Sequence, residues 1–169
     1  MIWLKCDHCI SNLVNWVPQF VKWTKPWSQD FWRMRKLVEN WNRFPGCAEY
    51  LNRLDIQFRY SPCNYEGSYC NHKKKYALNM QEICDHKRRF TDLAKGYPAS
   101  VEDATGFNGT VFFKRPIFFS HPEEYILANK AYQVTRPSIT SYKKPLASQE
   151  RVWYREFNLY LAEICVRIE

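Results

Sequence analysis

The spacing of apolar residues changes along this chain, and each change predicts an element. The first 45 residues read as helical. Ser28 is placed to cap a helix running to about Asn42, with Phe31, Met34, Leu37, Val38 and Trp41 along one face. Pro18 and Pro26 limit what precedes it, and Phe44-Pro45-Gly46 ends it. From Tyr50 the period drops to two. Tyr50, Leu54, Ile56, Phe58 and Tyr60 share a face, and Asn52 is a polar residue on that apolar side. A turn between Pro62 and Gly67 leads to a second strand, Tyr76 to Cys84, in which Tyr76, Leu78 and Met80 alternate. Asp85-His86-Lys87-Arg88 reads as a hairpin-like turn into a third strand from Arg89 to Ala94, which Gly96-Tyr97-Pro98 breaks.

Further on, Ser100 opens a short helix, with Asp103 as its N3 acid in a capping-box arrangement. The run Tyr125-Ile126-Leu127-Ala128 fits a buried central strand that ends at Asn129. Pro137 and Pro145 punctuate a loop. Ser148 is placed to cap a last helix, where Trp153, Phe157, Tyr160, Leu161, Ile164 and Ile168 recur at helical spacing. Strands in meander order, a helix, a buried strand and a final helix predict a mixed α/β (α+β) domain. Residues 1–45 are expected to be a short helical segment and residues 46–169 the domain itself. No repeat, low-complexity stretch or linker divides the chain further.

Composition narrows the class. At 169 residues, 46% hydrophobic and 17% aromatic, the chain is long enough and ring-rich enough to bury a core without staples. No apolar run reaches the roughly 20 residues that span a bilayer. Asp7, His8 and Asn12 interrupt the apolar N-terminus, so it does not read as a signal peptide, and an intracellular protein without a membrane partner is expected. The seven cysteines are odd in number and scattered, which fits reduced thiols better than a disulfide framework. Cys6-Asp7-His8-Cys9 lacks a second tight pair at zinc-finger spacing. The net charge of +8 favours anionic partners, nucleic acid first. The basic residues cluster at Lys73, Lys74 and Lys75, at Lys87, Arg88 and Arg89, and at Lys143 and Lys144, interleaved with Tyr65, Tyr69, Tyr76, Phe90 and Tyr142. Basic loops with rings between them are what a nucleic-acid groove needs.

Several stretches, in one collinear order, carry a resemblance. Phe44-Pro45-Gly46-Cys47-Ala48-Glu49-Tyr50-Leu51-Asn52-Arg53-Leu54-Asp55-Ile56 is similar to the motif F-P-G-C-x-G-x-x-D-G-T-x-I. Tyr69 to Phe90 is similar to Y-x-x-R-K-x-x-Y-x-x-N-x-Q-x-x-x-D-x-x-x-R-F, and Gly96 to Ala104 to G-x-P-G-S-x-H-D-S. Glu124 to Tyr132 follows Y-L-L-x-D-x-x-Y. Lys143-Lys144-Pro145, Phe157-Asn158 and Cys165 to Glu169 match the later marks. Together these resemble the catalytic domain of PIF/Harbinger-type DDE transposases, over roughly residues 20 to 169. The resemblance implies an RNase H-like mixed sheet flanked by helices.

It also implies a site. In such enzymes two Asp and one Glu hold a pair of divalent ions, Mg²⁺ or Mn²⁺, for in-line attack on phosphate. Carried over by position, the first Asp falls at Asn52, the second at Asn129 and the Glu at Glu169, with the last two separated by 169 − 129 = 40. Asn offers one neutral oxygen and an NH₂ group that repels a cation, so two of three negative charges are gone. Asp103 is the candidate stand-in ligand. Arg53-Leu54 replaces the family's Gly-Thr and is expected to bring a cation beside the former metal site. The family's last helix is expected to be truncated after Glu169.

The first reading is therefore a transposase-derived domain without catalysis that retains weak, non-specific DNA binding and, by resemblance, a nuclear location. An active metal-dependent nuclease is the second. The third is a protein-interaction module with a Myb-like partner, docked on Trp16, Trp23, Trp27, Trp32 and Trp41, although those rings are equally expected to pack a helix over the sheet.

Overall fold

The computed structural model of the chain describes residues 19, 21–25, 27–116, 121, 123–135, 138–143 and 152–168. Helix α1 (Gln29–Asn42) starts where the sequence places it, because the Ser28 hydroxyl accepts the Phe31 N–H at 3.1 Å. It stops at Arg43, whose left-handed backbone (φ 58°) returns its N–H to the Glu39 carbonyl. Strand β1 (Cys47–Gln57) follows at once. The Gly46 Cβ position faces the Glu123 carbonyl at 3.2 Å and its φ is +78°, so this tight entry to the sheet requires glycine.

After the one-turn helix α2 (Glu66–Tyr69), β2 (Ala77–Cys84) pairs antiparallel with β1, and β3 (Phe90–Pro98) pairs antiparallel with β2. Two short helices, α3 (Asp103–Asn108) and α4 (Val111–Lys114), lead to β4 (Tyr125–Ala128) and β5 (Ser138–Ile139), both parallel additions beyond β1. The sheet order is β3-β2-β1-β4-β5, and the chain ends in α5 (Val152–Ile168). This is the mixed α+β sheet flanked by helices expected of an RNase H-like domain.

Each face of the sheet has its own core. On one, Tyr50, Cys84 and Leu127 pack against Val38 of α1 and Leu161 and Ile164 of α5. On the other, Leu51, Ile83, Ile126 and Ala128 pack against Phe107 and Phe112 of α3 and α4 and against Tyr132. A bulge between Cys47 and Glu49 shifts the alternation, and from Tyr50 onward successive β1 residues turn to opposite sides.

Three expectations need correction. Gly96-Tyr97-Pro98 does not break β3. The strand runs to Pro98 through a bulge, since Gln81 pairs with Ala94 while Asn79 pairs with Tyr97, and Gly96 takes the positive φ of 98°. Ser100 does not cap α3, whose N-cap is Glu102 with no side-chain cap bond. The apolar side of β1 is not buried throughout: Leu54 and Ile56 are exposed, because β4 ends at Ala128 beside Leu51 and no described strand continues it. The proposed cap Ser148 and the pair Cys6 and Cys9 lie outside the described residues.

Candidate functional site

The two asparagines come from adjoining strands. Leu51 of β1 pairs in parallel with Ala128 of β4, so Asn52 and Asn129 are the next residue on each. Asn52 follows Tyr50 by two places within β1, which turns it towards the α5 side of the sheet, while Asn129 is the first residue past the end of β4. Glu169, the third position carried over, lies outside the described residues, one place beyond the end of α5.

Neither amide faces open space alone. The Asn52 Nδ2 donates to Glu82 Oε1 at 3.3 Å, because Asn52 and Glu82 are direct cross-strand partners in the β1–β2 register. The Asn129 Oδ1 accepts the Ala131 N–H at 2.8 Å, and the Tyr132 N–H returns to the Asn129 carbonyl, so this side chain closes the turn after β4. Glu82 is buried, and sequence reasoning missed it. A signal was present: it is the one charged residue between Ala77 and Cys84, on the same parity as Met80 and Cys84.

Arg53 and Asp103 sit elsewhere. One residue along from Asn52, Arg53 points to the opposite face, so the expectation of a cation beside the asparagine pair is corrected. Its guanidinium donates to Asp55 at 2.7 Å, to Asp103 at 2.8 Å, and to the Ala99 and Val101 carbonyls at 2.7 and 3.3 Å. Asn71 adds a bond to the other Asp55 oxygen at 2.9 Å. Burial works against the Arg53 charge, but bonds to Asp55 and Asp103 outweigh it and hold its pKa above the usual arginine range. Asp103 is therefore engaged in tying α3 to β1, across the sheet from Asn52, and is not brought to the asparagines as a stand-in ligand.

The basic clusters divide between the two ends of the sheet. Lys73, Lys74 and Lys75 form an exposed turn before β2, built on Asn71, whose Oδ1 accepts the Lys73 and Lys75 N–H groups. The β1–β2 register puts this turn at the carboxyl end of β1, beyond Gln57. Exposed Lys143 follows β5, next to Tyr142, whose backbone bonds the Asn158 amide of α5. Lys87, Arg88 and Arg89 stand at the other end of β2, held by Asp85, which accepts the Lys87 and Arg89 N–H groups and pairs with the Arg89 guanidinium. The three groups do not form one patch. Lys144 lies outside the described residues.

A second buried carboxylate is structural. Glu49 stands where the similar motif has Gly, and it meets Arg35 at 3.4 Å and the Thr91 hydroxyl. Burial pushes its carboxyl up to about 7, against the pull of Arg35 and Thr91. Arg35 is itself buried between Glu49, Glu124 at 3.2 Å, the Ala48 carbonyl and the Phe31 ring, which pins α1 to the start of β1. Of the tryptophans, Trp23 stacks on Phe112 and Trp41 packs on Tyr50, while Trp27 and Trp32 are exposed beside His121. Trp16 lies outside the described residues.

The donor set fits a pair of hard cations poorly. Asn52 presents an N–H to its neighbouring carboxylate, the Asn129 oxygen already holds a backbone N–H, and among the described residues no three His, Cys, Asp or Glu gather as a metal site. No described helix is long and apolar enough to cross a membrane.

With that geometry in place, comparison with known protein families matches the model described as DDE superfamily endonuclease over residues 56–169. The match takes in Asn129 and ends on Glu169, while Asn52 lies just before it. Comparison with curated proteins and with solved structures returns no match.

Proposed function

Because this chain belongs to the DDE superfamily endonuclease family, we propose that it is a transposase-derived domain of the PIF/Harbinger type that has lost cleavage and keeps duplex DNA as its ligand. Family membership implies divalent-metal chemistry on the α5 side of the sheet. The observation that carries the loss is the hydrogen bonding of the two asparagines. Asn52 donates to Glu82, the arrangement a cation would reverse, and Asn129 holds a turn. Metal ligands at these positions need free oxygen lone pairs aimed at one point. A nuclear location belongs to the same reading.

DNA binding draws on charge. Lys73 to Lys75 are exposed in the turn beyond the carboxyl end of β1, and Lys143 is exposed after β5, which makes them the cations offered to phosphates. Affinity is weak, indifferent to sequence and steeply salt-dependent, with log K falling by roughly 0.9 per neutralised phosphate for each decade of salt. Replacing Lys73, Lys74 and Lys75 by Ala lowers that slope, whereas Lys87→Ala with Arg88→Ala, at the far end, lowers it less. No binding at low salt removes the DNA reading.

Cleavage is tested by nicking of supercoiled plasmid beside calorimetric titration of Mg²⁺ and Mn²⁺. The expected result is neither heat nor nicks. Metal-dependent nicking by the unaltered chain, abolished by Glu169→Gln, would overturn the proposal in favour of an active nuclease. A partner-binding reading draws on exposed Trp27 and Trp32. It gains if DNA binding fails while Trp27→Ala with Trp32→Ala abolishes capture of a Myb-like protein.

A further inference from the structure

The connection between β1 and β2, residues 58–76, carries two rings that the fold hardly uses. Tyr60 and Tyr65 are exposed by 73% and 83%, and the Arg59 guanidinium lies 5.4 Å from the Tyr60 ring centre. Tyr65 also holds a left-handed backbone, φ 54°, a conformation that a bulky residue adopts at a cost and glycine adopts freely. A single exposed ring needs no explanation. A ring kept on an unfavourable backbone, with so little of it buried in return, points to a task outside the fold.

A small polar trio brings both rings to the foot of the lysine turn. The Tyr76 hydroxyl donates to the Glu66 carboxylate, and the Ser61 hydroxyl stands beside it. The two hold the Glu66 pKa below its ordinary value, Tyr76 first. Tyr60, Tyr65 and Lys75 each stand one residue before a member of this trio. The Phe58 N–H bonds the Tyr76 carbonyl at 2.8 Å and closes the base of the loop. Within it, exposed Arg59, Lys73, Lys74 and Lys75 stand against one acid, Glu66. Alongside, Asp55 and Asp103 are bonded by Arg53, and exposed Glu102 lies two residues past Ser100, whose N–H meets the Ser68 carbonyl. Positive charge therefore prevails around the two rings.

The cations fit phosphates, and the rings say in which form the nucleic acid is offered. A duplex meets lysines through its backbone while its bases stay stacked on one another, so a tyrosine face gains nothing from it. An unpaired base has a free face, and stacking on a ring is favourable for every base. We propose that the β1–β2 loop binds unpaired nucleotides beside a duplex, with bases stacked on Tyr60 and Tyr65 and phosphates held by Arg59 and Lys73 to Lys75. This preference rests on the DNA reading above and adds to it the form of the ligand.

Fluorescence anisotropy of the 169-residue chain at low salt tests this with three labelled probes. They are a blunt duplex, the same duplex with a short thymidine tail, and that duplex with an abasic tail of equal length. The abasic tail keeps the added phosphates and lacks the bases. The thymidine tail is expected to bind about 25-fold tighter than the abasic one, fivefold for each ring, which is the low end of base-on-ring stacking. Tyr60→Ala and Tyr65→Ala are each expected to cut that ratio about fivefold, and together to bring it to about one. Melting is expected to stay unchanged, because both rings are exposed. Tyr60→Phe and Tyr65→Phe keep the ring face and are expected to keep the ratio. Equal binding of the two tails, with blunt duplex still bound, overturns the stacking loop and leaves the DNA reading standing. A preference that survives the double change to Ala overturns these two rings as its source. No binding of any probe removes the DNA reading and this loop's role with it, and leaves the rings to a protein partner.

Discussion

Restoring the family's aspartates does not act alike at the two positions, and the difference is measurable without any catalysis. At Asn129 the side-chain oxygen accepts the Ala131 N–H, a bond that an aspartate makes equally well. Asn129→Asp is expected to change stability by less than about 0.5 kcal/mol. At Asn52 the relevant atom is the donor. Asn52→Asp replaces an N–H that sits 3.3 Å from the Glu82 carboxylate with a second carboxylate oxygen. Two unit charges at that distance repel by about 5 kcal/mol in an effective dielectric of 20, and the amide-to-carboxylate bond, about 1.5–3 kcal/mol, is lost as well.

Two reliefs limit the cost. The new side chain is half-buried and can turn away, and the pair can take up a shared proton. Holding one carboxyl protonated at pH 7, from an ordinary value near 4, costs about 4 kcal/mol, which sets a ceiling. We expect a loss of about 2–3 kcal/mol at pH 7 in the presence of chelator, measured by urea unfolding. A pair whose folded pKa is raised is penalised above that value and recovers as pH falls towards the unfolded one, so the deficit is expected to shrink by pH 5. Added Mg²⁺ or Mn²⁺ should also reduce it, because a cation between two carboxylates replaces the lost donor. An Asn52→Asp protein as stable as the parent at pH 7 without metal would refute the claim that Glu82 faces this position.

The remaining expectations concern the scaffold around the site. Arg53→Met leaves Asp55, Asp103 and two carbonyls without their shared donor, and with these groups only 13–20% exposed we expect a loss of about 2–4 kcal/mol in urea unfolding. A loss under about 0.5 kcal/mol would mean that the network is ornamental. Glu49 has a folded pKa of about 7 against an ordinary 4.5, so the folded state binds the extra proton: its contribution is fully present below 4.5 and is lost as pH rises through 7. Stability of the parent relative to Glu49→Gln should therefore fall by up to about 3 kcal/mol from pH 4.5 to 8, and two parallel pH profiles would refute it. Gly106→Ala sets a methyl 2.9 Å from the Gln81 amide, which is fixed by Asn79 at 2.7 Å and the Tyr132 hydroxyl at 2.6 Å. Overpacking of about 1–3 kcal/mol outweighs the helix gain of about 1, so the melting temperature should drop rather than rise.

What the sequence revealed and what it hid follow one physical rule. Periodicity marked β1 and β2, a continuous apolar run marked β4, and the Ser28 cap marked α1, because those signals are local. Motif order placed Asn52 and Asn129 at adjoining strand ends; the parallel register of Leu51 with Ala128 sets Asn129 one residue past the end of β4 but leaves Asn52 inside β1. Partners across strands were not legible. Glu82 meets Asn52 only through a β1–β2 register that the long connection from Phe58 to Tyr76 leaves unspecified, unlike a tight hairpin whose turn fixes it. The bulge at Gly96 hid in the same way, since a glycine before an aromatic and a proline looks like a strand's end until the partner strand shows that pairing resumes.

Arg53 is the most instructive misplacement, because one residue in a strand is the width of the sheet. Adjacent to Asn52 in sequence, it was expected to weaken cation binding by its charge. It instead belongs with α3 and the 99–103 segment on the other face, where it is matched by two aspartates. The poor fit to metal on the α5 side must then come from the residues on that side. Glu82 is the carboxylate there, and it already accepts the Asn52 amide. The charge removed at position 52 is thus balanced by one standing beside it, and the asparagine is the partner that lets a buried glutamate keep a donor. A site read only from its lost aspartates looks empty of negative charge. Read with its cross-strand neighbour, it has a carboxylate on the adjoining strand, so the stability of Asn52→Asp and its response to metal report on the pair formed with Glu82 rather than on position 52 alone.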